Sequence, residues 1–307
     1  MKRKESNIAP SPVRVRIGIH TSIAGRLELA AERAQELGCD AFQIFSSNPR
    51  IWDPSGINAV EAEAFRRRRY TLGLAPLVIH DNYLINLASA RPVVRFRSIQ
   101  AFRAELERAL ALEADYLVMH PGSAVGLKRR QALSNVATGL RQAARGLRLN
   151  GLQILLENTA GQGSALGADL EELGELLRAV PELNLGVCLD TAHLFAAGYE
   201  LRGPGSVDAT LAAVHAAVGL DRVKVIHTND SKVACGSRVD RHQHIGQGRI
   251  GLRAFRQLLR HPTLAGKTFI LETPLERKGD DRRNLRILRR LAPRNGAGGR
   301  KPTKGRG

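Results

Sequence analysis

The sequence predicts an α/β fold, a (β/α)8 TIM barrel, and three observations carry that prediction. Eight short apolar runs alternate with eight amphipathic stretches over most of the 307 residues. The runs are almost continuously apolar, as parallel strands buried on both faces are. No linker or break in composition divides the chain. Strand–helix alternation repeated eight times fits this barrel, with an open doubly wound sheet as the alternative. Length alone would allow two small domains or one large barrel.

The elements follow in order. VRIGI (Val15–Ile19) is β-branched and precedes the amphipathic stretch Gly25–Leu37. AFQIF (Ala41–Phe45) leads to Ala59–Thr71, and PLVIH (Pro76–His80) to Val94–Leu112. YLVMH (Tyr116–His120) is followed by Arg129–Leu149, and LQILLE (Leu152–Glu157) by Asp169–Ala179. LGVCLD (Leu185–Asp190) precedes Ser206–Val218, and VKVIH (Val223–His227) precedes Leu252–Leu259. TFILE (Thr268–Glu272) is the last strand. Its helix, Arg282–Leu291, sets Leu285, Ile287, Leu288 and Leu291 among arginines, which reads as a closing helix with a basic outer face. One domain is therefore expected over residues 13–293. Residues 1–12, with Pro10 and Pro12, and the basic, Gly-rich residues 294–307 have too little apolar side chain to join it and are expected to be flexible.

Composition narrows the function. A 43% hydrophobic content supplies a substantial core and argues against general disorder. No apolar run approaches the roughly 18–20 residues of a membrane helix, and no apolar segment follows the basic N-terminus as in a secretory signal. A cytoplasmic protein with no membrane partner is expected. Cys39, Cys188 and Cys235 lie far apart without CxxC spacing, so neither a disulfide framework nor a cysteine zinc site is indicated. Any metal must be held by histidines and carboxylates. Lysine and arginine total 47 against 29 acids, a net charge of +18. Such an excess favours a polyanionic partner, because each phosphate neutralised releases counterions. The plainer explanation is a surface rich in arginine.

The acids and histidines fall at informative places. His80, His120, Glu157, Asp190, His227 and Glu272 terminate strands three to eight, and in a barrel those positions ring the C-terminal mouth where active sites lie. A single histidine or glutamate at a strand end is more often a hydrogen-bonded structural residue than a ligand. Six on one rim are different. Three carboxylates and three imidazoles packed together would repel or lose solvation unless a cation joined them. Mixed histidine and carboxylate ligands suit zinc, and also manganese or iron. His193 follows Asp190 by three residues and reaches the same mouth from the loop, while Asp240 and His242 form a D-x-H pair able to point to one side. His20 is placed to line the floor. His215 and His261 read as surface residues on helices, and His244 stays unassigned.

The stretches HDNYLIN (80–86), HPGS (120–123), LENTAGQGS (156–164), GVCLDTAHLFAAGY (186–199) and HTNDSKVACGSRVDRHQHIGQG (227–248) closely resemble the endonuclease IV family of apurinic/apyrimidinic endonucleases. The resemblance runs from about Val15 to Leu291. It implies a TIM barrel holding three metals, usually zinc, with manganese or iron as alternatives at some sites. His80, His120 and Glu157 would bind the first metal. Glu157 would bridge to a second, bound also by Asp190, His227 and Glu272. His193, Asp240 and His242 would hold the third. Glu157 and Glu272 are the implied catalytic carboxylates. The implied partner is double-stranded DNA containing abasic sites, cut 5′ to the lesion; a barrel of this size can fold alone, so a monomer is expected. Arg50 in SSNPRIW and Tyr83 with Leu84 in HDNYL match positions that enter the minor groove and fill the space of the flipped nucleotide. Capping of strand three is the alternative role for Tyr83 and Leu84. Arg26, Pro49 and Ile51 depart from the family pattern and bear on DNA contacts, not on the ligand set.

Two other readings stay open. Sugar isomerases and epimerases of the xylose-isomerase type also carry Glu157, Asp190, His227 and Glu272 equivalents on late strands. A DNA-binding barrel without catalysis is the third.

Overall fold

Each apolar run becomes one strand of a closed parallel wall in the computed structural model, which describes residues 15–52 and 56–293. β1 (Arg16–His20), β2 (Ala41–Phe45), β3 (Leu77–His80), β4 (Tyr116–Met119), β5 (Gln153–Glu157), β6 (Gly186–Asp190) and β7 (Val223–His227) follow one another around it. β8 (Asp230–Ser231) and β9 (His242–Gln243) form a small antiparallel ribbon outside the wall. β10 (Thr268–Leu271) closes the barrel by pairing with β7 on one side and β1 on the other, Ile19 opposite Leu271.

Closure is set by what fills the inside. Ala41, Val78, Val118, Leu155, Cys188, Val225 and Ile270, one from each of seven strands, form a separate, completely buried apolar cluster. The eighth strand has Gly18 beside them. A Cβ there would stand 2.1 Å from the Ala41 carbonyl oxygen, so only glycine lets β1 and β2 approach this closely. The larger core lies between wall and helices, where Phe42, Phe65, Phe102, Phe195, Phe255 and Phe269 are wholly buried. Burying each such ring stabilises the fold by about 1.5–3 kcal/mol relative to leaving it exposed.

The helices are α1 (Leu29–Glu36), α2 (Ala59–Thr71), α3 (Pro92–Ala111), α4 (Arg129–Ala144), α5 (Leu170–Ala179), α6 (Thr191–Ala197), α7 (Ser206–Val218), α8 (Leu252–Arg260) and α9 (Asp280–Leu291). α8 shows the common logic. Ala254, Phe255, Leu258 and Leu259 face the wall while its arginines face outward.

Several boundaries differ from expectation, each for a local reason. The stretch Gly25–Leu37 becomes helical only at Leu29, because Gly25 sits at φ +86° in a preceding turn. Arg129–Leu149 stops at Ala144, where Arg145 leaves the helical region and Gly146 takes φ +77°. Pro76 is not part of β3, consistent with its missing N–H. Arg282–Leu291 starts two residues earlier, on Asp280. The short helix α6 and the β8–β9 ribbon are additional elements. The expected flexible segments, residues 1–12 and 294–307, lie outside the described residues. Among the described residues, no helix is long and apolar enough to cross a membrane.

Candidate metal centre

The C-terminal ends of the strands converge on Glu157, the last residue of β5, which is 1% exposed. Its Oε2 lies 3.1 Å from His80 Nε2 and 3.3 Å from His120 Nε2. Its Oε1 lies 3.0 Å from His227 Nδ1 and 3.3 Å from His193 Nδ1. The two oxygens thus face two different histidine sets. His227 Nδ1 is also 3.1 Å from Glu272 Oε2. Asp190, the last residue of β6, places Oδ2 3.6 Å from His242 Nε2. Asp240 reaches in from the loop before β9, with Oδ2 3.2 Å from His193 Nε2 and Oδ1 3.4 Å from His242 Nε2.

All nine residues named from the sequence as ligands therefore meet at one mouth. They fall into groups whose ligand atoms lie within 4.8 Å of one another: His80, His120 and Glu157; Glu157, Asp190, His227 and Glu272; and Asp190, His193 and His242. Asp240 is outside the third group by that measure and faces the same two Nε2 atoms from the solvent side. His193 comes from α6, not from a loop as expected. Asp190 caps that helix by accepting the His193 N–H at 2.7 Å, so the strand-end acid and the histidine three residues on are positioned by one contact.

Backbone carbonyls decide which ring nitrogen looks inward. His80 Nδ1 meets the Asp81 carbonyl at 3.0 Å, His193 Nδ1 the Asn158 carbonyl at 3.0 Å, and His242 Nδ1 the Glu272 carbonyl at 3.3 Å. A carbonyl only accepts, so these Nδ1 atoms carry the proton and Nε2 is left with its lone pair. The Nε2 atoms of His120, His193 and His242 are buried without a hydrogen-bond partner. For His193 and His242 that lone pair faces a carboxylate oxygen. Lone pair against lone pair repels unless a proton or a metal cation lies between them. This donor set fits a divalent metal with nitrogen and oxygen ligands.

The electrostatics agree. Burial alone would raise the Glu157 carboxyl, but the charges of His227 and His120 outweigh it and hold it well below the usual carboxylate range. Burial would lower His193, yet the Asp190, Asp240 and Glu157 carboxylates drive it well above its ordinary value. His80 rises likewise, through Asp81 and Glu157 against its burial. Asp240 is held down at about 2: burial opposes this, and His193 and His242 overcome it.

His227 is turned the other way. Its Nε2 meets Gln43 Oε1 at 2.8 Å, and Gln43 Nε2 lies 2.5 Å from Glu272 Oε1 and 3.0 Å from His20 Nδ1. The sequence reading missed Gln43. Its one visible signal is a lone amide inside the apolar run AFQIF. The remaining histidines separate cleanly. His20 lines the cleft, as expected, and comes within 3.8 Å of Glu272. His244 is buried against Asn284 and Asp280, away from the ligand groups. His215 is an exposed residue of α7, but His261 lies just past the end of α8, paired with Asp208.

The ligand groups open into a cleft of about 280 Å³. Phe45, Tyr83 and Leu275 supply apolar lining, and Leu275, 68% exposed, is a further residue that the sequence reading did not single out. Tyr83 is 61% exposed, with its ring centroid 5.1 Å from Phe45 in an edge-on contact. Arg50 is exposed on the loop after β2, and Leu84 is half-buried beside Tyr83.

Residues 31–291 match a family model described as a xylose isomerase-like TIM barrel. A Solibacter usitatus protein named "Probable endonuclease 4" is 50% identical over 281 residues, covering 91% of this chain and 97% of the relative. The crystal structure of endonuclease IV from Thermus thermophilus is 41% identical, with a TM-score of 0.81 over 90% of this chain and 98% of that one. A D-tagatose 3-epimerase-like protein shares the fold alone, at 20% identity and a TM-score of 0.68 over 90% of this chain and 97% of that one.

Proposed function

Because the chain belongs to the endonuclease IV family of DNA-cleaving enzymes, we propose that it is a metal-dependent apurinic/apyrimidinic endonuclease of base-excision repair. In this reading it hydrolyses the phosphodiester 5′ to an abasic site and leaves a 3′-hydroxyl and a 5′-deoxyribose phosphate. The observation that carries the proposal is the set of buried Nε2 lone pairs facing carboxylates at the barrel mouth.

His80, His120 and Glu157 would hold one ion, Glu157, Asp190, His227 and Glu272 a second, and His193, Asp240 and His242 a third, with zinc as the ion and manganese or iron as substitutes. Such ions supply charge neutralisation at a phosphoryl centre and an acidified water near neutral pH. The chain's own contribution is placement. Glu157, buried on β5, keeps an oxygen on each of two histidine sets. Glu272 remains a carboxylate because the charge of His227 overcomes its burial, so it can orient the attacking water by accepting its proton in a hydrogen bond.

Substrate choice belongs to the rim. A missing base lowers the cost of turning the nucleotide out of the stack. Tyr83 and Leu84 are the apolar side chains that would occupy the space it leaves, and Arg50 the cation that would enter the minor groove. The net charge of +18 suits a duplex partner. The enzyme would act in the cytoplasm as a single chain.

The shared barrel leaves sugar epimerisation as the competing chemistry. The test is one preparation offered two substrates: a duplex with a single abasic analogue beside its intact counterpart, and a panel of ketoses. Incision of the abasic strand alone, at one position 5′ to the lesion, supports the proposal. Turnover of a ketose without incision would replace it.

A further inference from the structure

We propose that Gln43 is a positioning residue of this centre: its side-chain amide selects the ring nitrogen that His227 presents to Glu157 and Glu272. The inference rests on the metal-dependent reading of the same site and adds a residue that is not among the nine ligands.

Gln43 is completely buried on β2, with His20 on one neighbouring strand and Val78 on the other. The orientation of its amide follows from its partners. Glu272 is acceptor-only as a carboxylate, so the group 2.5 Å from its Oε1 must be the Gln43 NH2. The carbonyl oxygen then faces His227 Nε2 at 2.8 Å. That oxygen only accepts, so His227 Nε2 must carry the hydrogen. In the neutral ring the lone pair is therefore on Nδ1, the atom 3.0 Å from Glu157 and 3.1 Å from Glu272. The second amide hydrogen points to His20 Nδ1 at 3.0 Å. Both amide N–H groups and the amide oxygen thus have a partner.

The contrast with the other rings makes this specific. His80, His193 and His242 rest Nδ1 on backbone carbonyls and present Nε2. His227 is reversed, and the group that reverses it is a side chain, which a substitution can remove. The same amide also tethers the Glu272 oxygen that does not face His227.

The experiment uses the full chain as wild type, Gln43→Leu and Gln43→Glu, each checked for folding by its thermal melt. Zinc is titrated against a competing chelator, and the histidine ring nitrogens of the zinc-loaded proteins are read by 15N NMR. Wild type is expected to show His227 with a protonated Nε2 and a zinc-shifted Nδ1. Gln43→Leu should lose that fixed tautomer and bind one zinc equivalent roughly 10–100-fold more weakly, the range for removing a group that orients a ligand. The remaining zinc should be unaffected. Gln43→Glu keeps the acceptor for His227 and should keep the tautomer, while still weakening zinc because it removes the donor to Glu272. A wild-type His227 that binds zinc through Nε2, or a Gln43→Leu protein with unchanged tautomer and zinc affinity, would overturn this inference alone. A folded wild type that takes up no zinc would overturn it together with the proposed function.

Discussion

The Asn82 side-chain amide donates to the Ile51 carbonyl at 2.6 Å and so ties together the two loops proposed to enter DNA. The Tyr83 N–H meets the Pro49 carbonyl at 3.2 Å and adds a second link. Arg50 and Tyr83 thus belong to one hydrogen-bonded unit, anchored on a residue only 3% exposed. Asn82→Ala removes the first link, together with the 2.8 Å bond that its Oδ1 accepts from the Leu84 N–H, and should loosen the loops relative to each other. Loss of the bond that joins the loops, worth about 1 kcal/mol, predicts a KM for abasic duplex raised roughly 5-fold, with zinc content unchanged. Steady-state incision kinetics beside metal analysis checks this, and an unchanged KM would mean the link does not order the loops.

Tyr83→Ala addresses the ring itself. If Tyr83 fills the space of a displaced nucleotide, the variant should lose about 1–3 kcal/mol of preference for abasic over intact duplex, the usual range for base-sized stacking. Competitive binding of the two duplexes measures it. A preference equal to wild type would return Tyr83 to the role of a cap on β3.

Glu157→Gln turns one of the two oxygens into an NH2 group that cannot hold a cation and takes the negative charge from the other, so both ligand sets are weakened. Incision should fall by at least about 100-fold, beyond the 10–100-fold typical of losing a group behind a ligand. The far-ultraviolet circular dichroism should stay that of wild type. Near-normal turnover would refute a shared role for the two oxygens.

The metal-free protein should show a characteristic pH dependence. His80 and His193 have folded values raised well above the ordinary 6.5, so their contribution to stability is complete below 6.5 and is lost as pH rises through those folded values. Glu157 and Asp240 are depressed, so theirs is present above the ordinary carboxylate values and is lost as pH falls, for Asp240 towards about 2. Metal binding needs neutral imidazoles and competes with these protons. The melting temperature gained on adding zinc to stripped protein should therefore grow as pH is raised from about 6 to about 8. A gain that stays constant or shrinks would contradict the account.

The charge excess predicts a salt effect. If the +18 lies at the duplex interface, the logarithm of affinity should fall linearly with the logarithm of salt concentration, with a slope of about −0.9 for each phosphate neutralised. Titrations across a range of salt would show it. A flat response would place the arginines elsewhere than on DNA.

Much of this molecule is legible in its sequence because a parallel strand buried on both faces leaves an uninterrupted apolar run, and the run's last residue then sits at the mouth. LVIH, ILLE, VCLD and VKVIH each announce a strand and its terminal side chain together. What pattern cannot convey is pairing across the barrel. Gln43 lies 184 residues from the imidazole it orients, and nothing local to AFQIF tells an inward amide at the rim from an ordinary strand residue. α6 is hidden for a different reason. Its seven residues, TAHLFAA, are too few to establish a helical period, and it is held by the Asp190 cap. The end of α4 is legible after all, since Gly146 breaks the helix whose apolar period Leu147 and Leu149 continue.

In the proposed function, metals at the barrel mouth are needed to cut DNA at abasic sites. The most direct test is incision of a duplex carrying one stable abasic analogue, by the same preparation before chelation, after stripping, and after reloading with zinc or manganese. A single cut 5′ to the lesion, lost on stripping and restored by metal, is expected. Incision that persists in folded protein shown by metal analysis to be stripped, or no incision by folded protein loaded with metal, would contradict the proposed function.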